Sequence, residues 1–510
     1  MTGLPGGWVE CRLSDIAEVN PALDRCPYPA NGLVHFVPMP AVGAETGAIN
    51  VTQHRPYVEV KKGYTAFVGG DVLFAKITPC MENGKMAVVP DLPLSVAFGS
   101  TEFHVLRSKM DIVSEYIYYF VSGRAFRYEA EYQMTGAVGQ KRVPTSFVAE
   151  HAFPLPPLSE QHRIVAKIEA LFSELDAGSA SLTRARAQLK TYRQALLKAA
   201  FEGKLTAPWR AANPDKLDAP ETLLSRIRTE RDTRYAAALT DWQNGMSDWR
   251  AGGEVGRKPG KPSRPEWPKE FDFSELVSLP LGWTYVPFEG LAYSIRNGIS
   301  HKPNEAGTLP IFRISAVRPM AFDMADFRFL IGSDEYDDFR LEAGDLVFTR
   351  YNGSRAYVGV AAVYRGDGSH VYPDKLIRCD VESERLGAGF LEKAVNCGEP
   401  RAFIESRIRT TAGQAGISGA DLKAMPVPIC GPQEQAEINR ILDVQLSQIL
   451  NMDSEITTAL AKITALRQSI LKKAFSGQLV AQDPADEPAA ALLARLAQTP
   501  APKPRRKTTP

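Results

Sequence analysis

Residues 161–201 read QHRIVAKIEALFSELDAGSASLTRARAQLKTYRQALLKAAF, with no proline. Two seven-residue apolar series interleave along this stretch. One runs Ile168, Leu175, Leu182, Leu189 and Leu196; the other runs Ile164, Leu171, Gly178, Ala185, Tyr192 and Ala199. Alternating steps of four and three are what a continuous apolar seam against a second helix requires. A helix of about 40 residues rising about 1.5 Å per residue spans roughly 60 Å. That is more than a small domain needs to fill its own core, so the stretch reads as a spacer.

The partner helix is in the same chain. Residues 435–475 repeat residues 161–201 without a gap, at an offset of 274. The seam returns as Leu442, Ile449, Ile456, Ile463 and Ile470, with Ile438, Met452, Ala459 and Leu466 on the second series. Both copies begin with Glu-Gln and end in a small-residue stop, AAFEGKL at 199–205 and KAFSGQL at 473–479. Gly203 and Gly477 stand where a helix C-terminus favours glycine. Prolines 154, 156 and 157, and prolines 426, 428 and 432, bar an earlier start. Gly178 and Gln445 each interrupt the seam in one copy and mark where the weakest packing is expected.

The repeat extends beyond the helices. LPGGW at 4–8 recurs as LPLGW at 279–283, GDVLFAK at 70–76 as GDLVFTR at 344–350, and Gly139-Gln140 as Gly413-Gln414. Landmarks that hold one offset to within a residue over such a span signal duplicated structural units. Strand-like runs at 32–37, 71–77, 85–89 and 101–106 have counterparts at 309–315, 345–350, 357–364 and 375–379. Helical patterns fall at 114–130 and 390–406. The expected fold is therefore α+β: two pseudo-repeated mixed α/β domains separated by two long antiparallel helices that form an intramolecular coiled coil. The expected boundaries are a first domain at 1–155, a helix at 156–205, a linker or insert at 206–278, a second domain at 279–427, a helix at 428–481 and a disordered tail at 482–510. Within the insert, a helix around 221–239 gives way to a Pro/Gly/Lys/Arg stretch that reads as extended and mobile. The pieces at 213–227 and 483–496 resemble each other, so even the exits from the helices are repeated.

Chemistry is conspicuous by its missing motifs. The 510 residues carry a net charge of +1, which favours no partner by itself. Six cysteines lie scattered without a CxxC pair, and seven histidines show no metal-ligand spacing. There is no GxxxxGK[ST], no GxGxxG after a strand, no HExxH and no GxSxG. Pro373-Asp374 lacks a following Glu-x-Lys, so a turn explains it better than a nuclease carboxylate set. No Asn-Pro-Pro-aromatic tetrapeptide of an amino-methyltransferase is present. No catalytic residue, bound metal or bound cofactor is expected. The start of the chain has no signal-peptide pattern and no apolar run reaches membrane length, so a cytoplasmic protein with no membrane association is expected.

The candidate binding residues lie on loops that differ between the copies. After the first Gly-Asp strand come Lys76, Thr78, Asn83 and Lys85; after the second come Arg350, Tyr351, Asn352 and Arg355. Cations and amides of these kinds hydrogen-bond phosphates and base edges. A purely structural account, a turn followed by a buried strand, covers the Gly-Asp motif itself. A second loop carries Gln140, Lys141 and Arg142 in one copy and Gln414 in the other. Its glycines allow close backbone approach to a nucleic acid, or a tight connection within the fold. Trp8 and Trp283 read as structural anchors.

LPGGW, GDVLFAK, GQKRVP, PLPPLSEQ and LLKAAFEGKL, each with a second copy, together resemble the specificity subunit of type I restriction–modification systems across nearly the whole chain. The second helix start, PVPICGPQEQ, departs from the pattern at 429–431. The resemblance implies that each globular part is a target recognition domain reading one half of a split sequence in double-stranded DNA. It implies two modification subunits docked on the helices, bringing S-adenosylmethionine-dependent methylation, and restriction subunits bringing ATP and Mg chemistry. The chain itself would catalyse nothing. Two rival readings stand beside it: a two-domain coiled-coil adaptor that recruits proteins without reading DNA, and a nuclease or methyltransferase with a degenerate motif.

Overall fold

The computed structural model describes residues 3–22, 31–94, 96–137, 139–256, 258–264, 267–268, 272–301, 303, 307–332, 334–381, 386–411 and 413–498. The chain divides into two compact units. The first comprises residues 1–184 and 456–510, the second residues 185–455. The fold is α+β in both, as the sequence implies.

In the first unit, strand Val9–Arg12 pairs antiparallel with Ala152–Leu155, closing the unit just before the first long helix. A four-stranded antiparallel sheet has the order Ala17–Val19, Phe103–Ser108, Val72–Ala75, Met86–Val88. Its inner strand Val72–Ala75 is buried at every position, which is why the Gly-Asp run is continuously apolar. Asp71 makes the turn before this strand: its carboxylate accepts from the Val68 amide at 2.8 Å and holds Arg107 through two bonds of 2.8 and 2.7 Å. A second sheet, in the order His54–Pro56, Leu33–Val37, Ala97–Gly99, Thr65–Phe67, contains one parallel pair. The helical pattern at 114–130 is two helices rather than one, Ser114–Ser122 and Arg124–Tyr132, because Gly123 is extended (φ −63°, ψ 144°).

The second unit repeats the first sheet. Thr284–Pro287 pairs with Pro426–Ile429, and the four strands run Ser294–Asn297, Leu376–Asp380, Leu346–Thr349, Ala361–Val363. Asp345 makes the same turn, accepting from the Glu342 amide at 2.6 Å and pairing with Arg378 at 2.6 Å. Its helices Ala388–Val395 and Gly398–Arg407 again break, at Asn396 and extended Cys397. The second four-stranded sheet is not repeated. Two-stranded ribbons take its place, Leu309–Phe312 with Phe327–Leu330 and Val317–Arg318 with Ala321–Phe322.

The long helices are Leu158–Phe201 and Pro432–Phe475, 44 residues each. Both end in the same glycine-capped turn. The amides of Gly203 and Lys204 donate to Ala200 and Ala199, and those of Gly477 and Gln478 to Ala474 and Lys473. Both glycines have φ of 70°. Within each unit the two helical segments run antiparallel. In the first, Asp176 pairs with Arg467, and a Cβ on Gly178 would sit 3.9 Å from Ile463. In the second, Arg186 pairs with Asp453 at 2.8 Å and Tyr192 donates to Gln445 at 3.3 Å.

The seam is buried at Ile164 and Ile168 in the first unit and at Leu196, Ile438, Leu442 and Ile449 in the second, where it joins the globular cores. Ile456 is buried too. Leu171, Leu175, Leu182, Leu189, Ile463 and Ile470 are half-buried. Tyr192, Met452 and Leu466 lie off the buried line of the seam, each 50% exposed, although the Tyr192 hydroxyl still reaches Gln445; Arg193 and Arg467 turn inward beside two of them. A helix of 3.6 residues per turn drifts about 20° per heptad from a strict seven-residue series, so the series slides off the contact line. Leu171, Leu175, Leu182, Leu189, Ile463 and Ile470 share the partial exposure of Gly178 and Gln445, so the weaker packing is not confined to those two positions.

Two further expectations are corrected. The insert is not mainly linker: helix Pro220–Ala251 spans 32 residues and buries Leu223 and Ile227 in the core of the second unit. Arg231 donates to the carbonyls of Glu289, Gly290 and Ala292 at 3.0, 3.1 and 2.6 Å. The basic stretch is not free either. The indoles of Trp242 and Trp249 donate to the carbonyls of Pro259 and Gly256, and Lys261 and Lys258 lie 5.7 and 6.0 Å from the same two rings. Likewise, residues 482–498 are not disordered. Helix Ala489–Gln498 buries Leu492 and Leu496 in the core of the first unit, and Arg163 holds Asp486 at 2.6 Å. The repeated exit sequence is therefore a repeated core plug. Residues 499–510 lie outside the described residues, as does Cys26.

Candidate nucleic-acid interface

The two loops singled out in each copy meet. In the first unit the amide of Val143 donates to the carbonyl of Lys76 at 2.9 Å, and that of Thr78 to Lys141 at 3.0 Å. Arg142 bridges to both Ile77 and Thr135. In the second unit Ile417 donates to Arg350 at 3.1 Å, while strand Gln414–Gly416 pairs with Tyr351–Asn352 and with Arg409–Thr411. Each of these pairings recurs at the offset of 274: Ile77 with Arg142 becomes Tyr351 with Gly416, and Thr135 with Arg142 becomes Arg409 with Gly416. Separate in sequence, the loops form one small backbone platform at the end of the buried Gly-Asp strand. Gly139 and Gly413 sit at its tips with φ of 80° and 78°, a conformation that favours glycine.

In the first unit, Asn83, Gln140 and Lys141 are exposed. Lys76 is half-buried, and burial pulls its ammonium below the ordinary lysine value; Glu102 opposes that shift and the Arg142 charge adds to it. Arg142 grips Glu102 through two bonds of 2.8 Å, and those bonds hold the Glu102 carboxyl below the usual carboxylate range. Thr78 donates its hydroxyl to Glu82. Lys85 departs from the expectation. Its ammonium donates to the carbonyls of Met39 and Val42 at 3.2 and 3.0 Å and so ties the loop to the sheet.

Beneath the platform lies His104. Its Nε2 meets the Val143 carbonyl at 2.9 Å and its Nδ1 meets the Asn20 amide nitrogen at 3.0 Å. A carbonyl needs a donor, so the proton sits on Nε2 of a neutral ring. Burial keeps that ring's pKa below the ordinary histidine value.

In the second unit, Gln414 is exposed and the Arg350 guanidinium lies 4.9 Å from the Tyr351 ring. Asn352 spends its side-chain oxygen on the Ser354 amide at 2.9 Å, an Asx turn that shapes the loop. Arg355 donates to the carbonyls of Glu405 and Ile408 at 2.9 and 3.5 Å. Arg318 stacks 4.5 Å from Tyr357 beside the same loop.

Several residues near these loops carry no signal at the sequence level. Glu102 is one, since only the fold brings it to Arg142. Exposed Arg409 faces Gly416 on the hairpin. Beside the first platform, a cleft of about 660 Å³ is lined by Thr78, Glu82, Tyr128, Tyr132, Met134 and Lys141, among others. The i, i+4 tyrosines on the helix Arg124–Tyr132 were the one readable hint. Among the described residues no group of acidic, histidine or cysteine side chains has the arrangement to hold a metal ion, and no helix is long and apolar enough to cross a membrane.

Trp8 and Trp283 are anchors, as expected: their indoles donate to Glu160 and Glu434 at 3.0 and 2.9 Å, each glutamate lying in the first turn of a long helix.

Comparison with known proteins gives concordant results. Residues 5–181 match the family model described as the type I restriction modification DNA specificity domain. The chain is 31% identical over 427 residues to the EcoKI specificity subunit of Escherichia coli K12, covering 81% of this chain and 78% of that one. It is 28% identical over 452 residues to the EcoEI specificity subunit of Escherichia coli, covering 84% and 75%. Among solved structures, a chain from a study of complex assembly and conformational transition in the type I R-M system superposes with a TM-score of 0.64. That match has 19% identity and covers 94% of this chain and 100% of that chain.

Proposed function

This chain belongs to the family of type I restriction enzyme specificity subunits, and from that premise we propose that its two units read the two halves of one bipartite double-stranded DNA target. Each unit presents its platform to one half-site, so the target is asymmetric. The long helices fix the spacing between half-sites and dock two modification subunits, which bring S-adenosylmethionine and methylate adenine. Restriction subunits join that complex with ATP and Mg. The chain supplies recognition and no catalytic group, and it works in the cytoplasm. The adaptor reading is not favoured, because the relatives are named for specificity.

The observation that carries the proposal is the repeated backbone pairing of Lys76 with Val143 and of Arg350 with Ile417. One scaffold is built twice, while the side chains on it differ. That is what two readers of different sequences on a common frame require. Lys76, Lys141, Arg142 and Gln140 in the first unit, and Arg350, Tyr351, Arg355 and Gln414 in the second, are the side chains we assign to contact. Thr78, Asn83 and Asn352 shape or edge the loops. Phosphate contacts place a protein on the duplex and base contacts specify the sequence.

The test is selection from a random duplex library by the full chain assembled with its modification subunit. Enrichment of two short motifs at one fixed separation is expected. Retention of all sequences equally, or of none, would overturn the proposal.

A further inference from the structure

The cleft beside the first platform differs from the scaffold around it in one respect: most of its side chains are not duplicated. At the offset of 274, Thr78 becomes Asn352, Tyr128 becomes Ala402, Tyr132 becomes Ser406 and Lys141 becomes Ala415, while Glu131 and Gly139 persist as Glu405 and Gly413; the second unit's loop at 350–360, one residue longer than 76–85, has no acid to match Glu82. The frame that holds these positions does recur, through the Ile77–Arg142 and Tyr351–Gly416 pairings. A set of side chains that changes on an unchanged frame is where the two units differ in what they bind.

The chemistry of the cleft is specific. Tyr128 and Tyr132 stand one helical turn apart, 76% and 84% exposed. Rings so exposed bury no core, and their apolar faces and hydroxyls suit a nucleic-acid surface. Lys141 adds a cation at the rim. The lining also holds two acids, exposed Glu131 and the more enclosed Glu82. One oxygen of Glu82 accepts the Thr78 hydroxyl; the other, Oε2, is buried and has no hydrogen-bond partner.

The loop that carries Glu82 is rigid. The amides of Met81, Asn83, Gly84 and Lys85 donate within it to Ile77, Pro79, Met81 and Cys80, and Arg127 clamps the Glu82 carbonyl at 2.9 Å. An unpaired buried acceptor is costly to the free protein, and a carboxylate repels phosphate. What it accepts from in DNA is an exocyclic amino group: cytosine N4 or adenine N6 in the major groove, guanine N2 in the minor.

We infer that this cleft receives a base edge of the half-site read by the first unit, with Glu82 accepting from an exocyclic amino group and Tyr128 and Tyr132 flanking the contacted strand. The inference rests on the proposed function and adds a named specificity determinant to it. The corresponding loop at 350–360 carries no acid, so the second unit reads its half-site without this contact.

Library selection with the full chain and its modification subunit tests it, using wild type, Glu82→Gln and Tyr132→Ala. For Glu82→Gln, the preference at one position of one half-site falls by about tenfold, while the other half-site is unchanged and shows that the chain is folded. For Tyr132→Ala, an exposed position, affinity for all targets falls by about tenfold with the preferred sequence retained. If wild type selects a bipartite target and both variants select it with unaltered preference and affinity, the inference is overturned and the proposed function stands. If Glu82→Gln abolishes binding altogether, Tyr132→Ala decides: reduced affinity supports the cleft, wild-type affinity overturns it. Absence of any selection by wild type overturns both.

Discussion

The indole of Trp8 donates to the carboxylate of Glu160 at 3.0 Å, joining residues 152 apart in sequence. Glu160 is 1% exposed and its other oxygen accepts from Gln482 at 3.1 Å. It sits in the first turn of a long helix, where the unpaired backbone amides favour negative charge. The start of the chain, the start of the helix and the segment after the second helix thus converge on one carboxylate. Glu160→Ala is expected to destabilise the first unit by about 1–3 kcal/mol, read as a lower denaturant midpoint. An unchanged midpoint would show that the network contributes nothing.

Gly477 closes the second long helix at φ 70°, and a Cβ there would run into the ring of Pro5. Gly203 repeats this against Pro280, with a Cβ 2.5 Å from Cγ. Gly477→Ala must pay for both the left-handed backbone and the clash, so a loss above about 1 kcal/mol is expected. Circular dichroism during thermal unfolding would register it. Gly63, also at positive φ but with nothing within 4 Å, is the control: Gly63→Ala carries only the backbone term.

His104 makes stability depend on pH. Burial holds its folded pKa below the ordinary 6.5, so the unfolded chain binds this proton more readily than the folded one. The contribution is complete above the unfolded value and is lost as pH falls through 6.5 toward the folded value. His151 and His370 shift the same way, also through burial. The unfolding midpoint should fall between about pH 7 and pH 5, and His104→Gln should flatten part of that fall. A midpoint that rises on acidification across this window would contradict the assignment.

Lys76 and Arg350 occupy equivalent positions at the ends of the two Gly-Asp strands. If each contacts a phosphate, Lys76→Gln and Arg350→Gln should each weaken binding to every duplex and lower the slope of log affinity against log salt by about one. A base contact would instead relax one position of the target. Titrations at several salt concentrations separate the two, and unchanged binding removes the residue from the interface.

The spacing role of the helices has a direct test. Seven residues inserted between Arg184 and Ala185, with seven more between Glu455 and Ile456, preserve the apolar register and add about 10 Å to each helix. The selected target should keep both half-motifs and lengthen only the gap between them. A change in the half-motifs themselves would refute the ruler.

Much of this was legible from residues alone. A fixed offset of 274 revealed the duplication, proline and glycine set the ends of the long helices, and continuous apolar runs marked the inner strands. The heptad series is most reliable where its residues also enter a globular core, as Ile164 and Leu442 do. Tyr192, Met452 and Leu466 fit the heptad count yet stay half exposed, because a count of seven cannot register the drift of a real helix. The insert and the tail depart from expectation for a related cause. Leu223, Ile227, Leu492 and Leu496 are too few for an obvious amphipathic pattern, but they need only a small face to plug a core that is formed elsewhere.

What the sequence alone determined is the plan: two copies of one frame, each joined to a long helix, because duplication and helix periodicity are written locally and survive without knowledge of contacts. Only the tertiary structure decided which side chains are free to bind. Lys85, an unremarkable loop cation in the sequence, is bound to two carbonyls, while Glu82, one acid among many, has an oxygen without a partner. Hydrogen bonds between residues far apart in the chain consume some polar groups and leave others unsatisfied, and no local pattern records that pairing.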